Sequence, residues 1–162
     1  MMGRSEEAAP KCNAALVARH QVLGAAHVDT ISSLSNCALC YEYQGQRLDA
    51  LPLHTQAVEI VRDLQPPSET LLATVLCNYG SILCVMFEGG DQEEVAAVEA
   101  ASVEATTLYK EAVGVRCKVL GHEDIYTMEA CLGVARSFLP KALIRHGGIE
   151  DCLRPYIGPN YS

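Results

Sequence analysis

Apolar residues recur along this chain at the spacing of a helix. Between Asp29 and Tyr43, the residues Leu34, Cys37, Ala38 and Tyr41 are separated by three, one and three positions, which sets them on one helical face. Gly45 closes that run. From Arg47 to Leu64, Ala50, Leu53, His54, Ala57, Val58 and Val61 share one side, and the segment QPPSET then breaks the pattern with two prolines before Ser68 can cap another helix. Short side chains at Ala38, Ala50 and Ala57 allow two helices to approach closely, with Tyr41 and His54 filling the gaps between them. The pattern predicts pairs of helices.

The pairs repeat. At an offset of 42, Leu34, Asn36, Ala38 and Tyr41 fall on Leu76, Asn78, Gly80 and Leu83. At 55, Ala50, Leu53, His54, Ala57 and Val58 fall on Ala105, Leu108, Tyr109, Ala112 and Val113. At 97, the phrase Val22-Leu23-Gly24 returns as Val119-Leu120-Gly121, Thr30 falls on Thr127 and Tyr41 on Phe138. Since 97 is 42 plus 55, one period of 42 explains all three, with 13 extra residues in the second copy.

The expected organisation is a single domain, 1–162, of about three repeats with degenerate ends. Residues 8–24 read as the second helix of a partial repeat, with Pro10 limiting how early it can begin. A full repeat follows over 25–66, a second over 67–121 with the 13-residue insertion near 89–104, and the first helix of a third over 122–139. Residues 140–162 read as an irregular tail. The insertion opens with Gly89-Gly90, after which Asp91 and Glu94 form a capping box, so it is expected to prolong a helix.

Charge narrows the partners. The chain has 20 acidic and 12 basic residues, a formal net charge of −8, and no Lys or Arg between Arg62 and Lys110. Nucleic acid and anionic membrane surfaces are poor partners, because both need basic residues to replace counterions on phosphates. A neutral or basic protein partner fits better. The start MMGRSEEAAPKC has neither a secretory nor a transit character, and no run of 18 apolar residues occurs, so a cytoplasmic location is expected. Eight cysteines lie among Ala, Leu and Val in helical patterns and read as buried, reduced thiols.

The phrase Leu23-Gly24-Ala25-Ala26-His27-Val28-Asp29-Thr30, followed by Leu34, Asn36, Ala38, Tyr41, Gly45, Ala50 and Ala57, resembles the tetratricopeptide repeat. It is similar to the long 42-residue form of kinesin light chains. The resemblance covers residues 8 to 139 and implies an all-α solenoid, a right-handed superhelix whose first helices line a concave groove. It further implies a scaffold that binds a peptide or protein segment and is not an enzyme. The groove would show Ser32, Ser35, Asn36, Leu39 and Tyr43, then Thr74, Cys77, Asn78, Ser81 and Val85. Asn36 and Asn78 have two readings, bonding a bound peptide backbone or bonding neighbouring helices. Family members that clamp a terminal carboxylate add basic residues, and Ser32, Glu129 and Gly133 stand in those places here, which argues against a clamp. Self-association through the end helices is the alternative to groove binding.

Other chemistry is sparse. Cys37-x-x-Cys40 has metal or redox spacing, but no second pair follows at ligand distance, so packing is the favoured reading and no metal or cofactor is expected. His54 aligns with Tyr109 and reads as a core filler. His122, Glu123 and Asp124 read as a helix N-terminus. The acidic residues Asp91, Glu93, Glu94 and Glu99 form a second candidate partner surface, on the prolonged helix.

Overall fold

The computed structural model describes residues 3–86 and 95–146, with side chains over 8–86 and 97–138. Six helices make up the described chain: α1 (Gly3–Leu23), α2 (Val28–Tyr43), α3 (Arg47–Arg62), α4 (Glu69–Val85), α5 (Val95–Val119) and α6 (Ile125–His146). No strand occurs among the described residues.

Local chemistry accounts for the helix ends. The repeated Leu-Gly phrase ends α1 and α5 because Gly24 and Gly121 adopt φ of 85° and 90°, a left-handed conformation that costs glycine little. Across the linker, His27 Nδ1 accepts from the Asp29 amide at 3.1 Å and starts α2. Its equivalent Asp124 does the same for α6, accepting from the Tyr126 amide at 2.8 Å. Each satisfies an amide that the first helical turn leaves without a partner.

Every helix packs on the next in sequence, from α1 to α6. In addition α2 lies beside α4 and α4 beside α6, whereas among the described residues the backbones of α1 and α3 do not come close, nor do those of α3 and α5. Elements on the inside of a curved stack lie closer together than those outside. The even-numbered helices therefore line the concave side and the odd-numbered ones the convex side.

The core forms where short side chains let helices close up. Ala38, Ala50, Ala57, Ala105 and Ala112 are all fully buried, as the repeat arithmetic expects. Ile31, Leu34, Val58, Leu76, Leu83 and Leu108 fill the space around them. His54 is also fully buried. It stacks on Tyr79 with ring centroids 6.1 Å apart, and its Nε2 lies 2.5 Å from Glu42 Oε1.

Two expectations about boundaries differ from the structure. Helix α1 begins at Gly3, ahead of Ala8, with Pro10 inside it. Pro10 removes only its own bond to the carbonyl of residue 6, and its ring is exposed. Pro52 is carried by α3 in the same way. At the other end α6 continues to His146, seven residues into the stretch expected to be irregular, because the first glycine after Gly133 is Gly147. In the second repeat, the Gly89-Gly90 break and the Asp91–Glu94 box lie outside the described residues. The equivalent of Arg47 is Ser102, and α5 begins seven residues before it, so this part of the insertion is helical.

Candidate functional site

The concave side is a ladder of equivalent positions on α2 and α4. Asn36 and Tyr43 of α2 and Thr74 of α4 are exposed, and Tyr43 is 79% accessible. Ser32, Leu39, Cys77, Asn78, Ser81 and Val85 are half-buried between them. Ser35 departs from expectation: it is buried, and its Oγ accepts a bond from Asn78 Nδ2 at 2.9 Å. That bond ties α2 to α4, so of the two readings of Asn78 the inter-helix one describes its contact. Ser32 and Thr74 donate to carbonyls four residues back, Val28 at 2.9 Å and Thr70 at 3.0 Å, and keep their lone pairs for a further donor.

On α6 the ladder changes character. The equivalents of Ser32, Ser35, Asn36 and Leu39 are Glu129, Leu132, Gly133 and Arg136. Gly133 is buried beneath Tyr109, and a Cβ there would stand 2.2 Å from the ring. On the ring's other side, a Cβ at Gly80 would stand 2.9 Å away. Tyr109 thus passes between α4 and α6, and its hydroxyl is bonded to the groove residue Ser81. Burial pushes that phenol up to about 12. Sequence reasoning treated Tyr109 only as a filler. The available signal was glycine at 80 and 133, where the first repeat has alanine and asparagine.

Arg116 closes the α5–α6 corner. It is buried, lies over the Tyr126 ring at 5.7 Å, donates to the Tyr126 carbonyl at 2.5 Å and sits 3.7 Å from Glu129. Cys77 nearby is raised to about 11, by burial first, against the pull of the Arg116 charge. A thiol so raised is protonated at neutral pH and is a poor nucleophile. On α2 and α4 the ladder offers an aromatic face, apolar side chains and uncharged hydrogen-bonding groups.

The CxxC pair is not isolated. Cys40 Sγ lies 3.1 Å from Cys12 Sγ of α1, and burial raises Cys37 and Cys40 to about 11. Among the described residues no group of three or more metal-ligating side chains converges. Of the acidic candidates, Asp91, Glu93 and Glu94 lie outside the described residues. Glu99 is half-buried on α5 and already engaged.

Stacked helix pairs related by an internal sequence period define an α-solenoid. Residues 1–63 match the sequence profile described as Tetratricopeptide repeat, and α4 to α6 continue the same succession of antiparallel helices beyond the matched residues. The comparison with curated proteins finds no match. Among solved structures, one of nearly identical TPR-like repeats assigned to a kinesin light chain of Podosopora anserina is similar at 16% identity. That likeness covers 90% of this chain and 82% of that one, with a TM-score of 0.40. Among the described residues no helix is long and apolar enough to cross a membrane.

Proposed function

We propose that the chain is a non-enzymatic scaffold that holds an extended peptide or protein segment in the concave groove of α2 and α4. The observation that carries this reading is the row of accessible, uncharged groups on the inner side, with Tyr43 the most exposed of them. A flat aromatic supplies contact area at low entropic cost, and Asn36 supplies a donor and an acceptor to a peptide backbone. The bound segment is neutral or basic, since the chain carries a net charge of −8. Tetratricopeptide repeats in general mediate protein–protein interaction, which agrees with this reading.

The test uses a displayed library of random linear peptides selected against the purified chain. Selected peptides should lean neutral or basic and should lose most of their binding to Asn36→Ala/Tyr43→Ala, two changes at exposed positions that leave folding intact. If binding survives that variant but fails when Glu93, Glu94 and Glu99 become Gln, the site is the acidic extension and the groove is packing. Strong salt dependence would accompany that result, because exposed charges are screened within about 10 Å at 0.1 M.

A second reading is a structural segment that stacks end to end. The α6 face formed by Met128, Cys131, Ala135 and Phe138 is exposed, while its equivalents Ile31, Leu34 and Ala38 are buried and Tyr41 is half-buried. In the first repeat α3 packs on α2. On α6 a second copy would take the corresponding place.

A further inference from the structure

The repeat aligns one pair of side chains at every seam where a second helix meets the first helix of the next unit. At the α3–α4 seam the pair is His54 and Ile82, and at the α5–α6 seam it is Tyr109 and Ser137. All four are buried, the most accessible at 5%. The equivalent pair at the α1–α2 seam is Cys12 and Cys40, and both are half-buried, within reach of a small solute. Of the three seams, the first alone carries two thiols and admits a reagent to them.

The two sulfurs are in contact. Cys12 Sγ lies 3.1 Å from Cys40 Sγ, across 28 residues of chain, and both are free thiols. The sulfurs of a disulfide stand about 2.05 Å apart, so a movement of about 1 Å separates this contact from a bond. Helix α1 is placed to give that movement. Among the described residues only the backbone of α2 comes close to it, and of its side chains only Ala9 is buried.

We infer that Cys12 and Cys40 are a thiol-modification site: a low-molecular-weight disulfide such as oxidised glutathione converts them into a reversible disulfide that staples α1 to α2. The site lies apart from the groove and stands whether or not the groove holds a peptide.

Exchange runs in two steps. Cys12 Sγ attacks oxidised glutathione, giving a Cys12–glutathione disulfide and one glutathione thiol that takes up the Cys12 proton. Cys40 Sγ then attacks Cys12 Sγ, forming the protein disulfide and expelling the second glutathione, which takes up the Cys40 proton. The two protein thiols lose two electrons and two protons, and one glutathione disulfide becomes two thiols. Cys40 suits the second step. Burial first, and then the Cys12 thiol, push it up to about 11, so it keeps its proton until Cys12 is modified and that part of the rise is gone. Cys37, at 1% exposure, is shielded from glutathione.

The test equilibrates the purified full chain with glutathione buffers of increasing oxidised share, quenches with iodoacetamide, and reads intact mass and linked peptides. The expected product is a monomer lighter by two hydrogens in which the Cys12 and Cys40 peptides are joined. Cys12→Ser and Cys40→Ser should each abolish it, whereas Cys131→Ser, at an exposed thiol on α6, should not. Half-bridging should need an oxidised share at least about tenfold lower than for the same chain unfolded in urea, where only chance closure of the loop brings the sulfurs together. The bridged chain should unfold at higher urea than the reduced one, and the amides of 13–23 should exchange more slowly. Absence of the bridge in the folded chain overturns the proposal, as does equal ease of bridging in urea. So does a bridge that persists in Cys12→Ser, a bridged chain less stable than the reduced one, or a product confined to dimers through Cys131.

Discussion

Two residues at one repeat position show how much a single side chain decides. His54 and Tyr109 are equivalent, and both are buried between helices. The imidazole stacks on Tyr79 of α4 and turns its Nε2 to Glu42 of α2. The longer phenol reaches further and demands glycine on both neighbouring helices. Gly133→Ala should therefore destabilise the chain by about 1–3 kcal/mol, since a methyl 2.2 Å from the ring forces the ring or α6 to move. In a Tyr109→His background the same change should be neutral or stabilising, because alanine has the better helix propensity by about 1 kcal/mol. Urea unfolding of the four chains measures the difference. An equal cost in both backgrounds would mean that Tyr109 does not set the requirement for glycine.

At the scale of elements, α1 is the least embedded helix. Among its described side chains only Ala9 is buried, and it packs on α2 alone. Its specific ties are the Cys12–Cys40 contact, a bond of 3.1 Å from Asn13 to the Tyr41 hydroxyl, and Arg19 to Ser33 Oγ at 2.5 Å. Two thiols on the α2 side of this seam, Cys37 and Cys40, are raised from 9.0 to about 11, by burial first and then by Cys12. A raised thiol keeps its proton longer in the folded state than in the unfolded one. Its stabilising contribution is complete below pH 9 and is lost as pH climbs toward 11. Cys77 and Tyr109 act in the same direction, Tyr109 over pH 10 to about 12. The urea midpoint should be flat below pH 9 and fall above it, and Cys37→Ala/Cys40→Ala should make the fall shallower. An unaltered slope in that variant would place the alkaline sensitivity elsewhere.

For the whole molecule, the groove and the stacking face make opposite demands on assembly. A scaffold that binds through α2 and α4 has no need of a second copy. Stacking through α6 would give species that grow with concentration, because a head-to-tail contact does not close on itself. Sedimentation over a range of concentrations should show one monomeric species if the groove reading holds. If larger species appear and Met128→Asp/Cys131→Asp abolishes them, the exposed α6 face is the interface. Both residues are exposed, so the variant tests that face without disturbing the core.

The helices, their pairing and the small positions between them were legible in the sequence, because helical periodicity and repeat spacing are local records of which face meets which. Leu34, Ala38, Ala57 and Ala112 could be assigned to the core from spacing alone, and all four are buried. The candidate site was legible only as a row of positions. Ser35 belonged to that row by spacing, yet it is buried, because Asn78, 43 residues away, bonds it from the next helix. The glycines around Tyr109 and the strap of Arg62 on Glu111 likewise depend on side-chain lengths across helices that spacing cannot compare. Sequence by itself determined which surfaces exist. Tertiary structure decided which groups on them were already spent on holding helices together and which were left for a partner, because a hydrogen bond or a cavity is settled by distances between elements far apart in the chain.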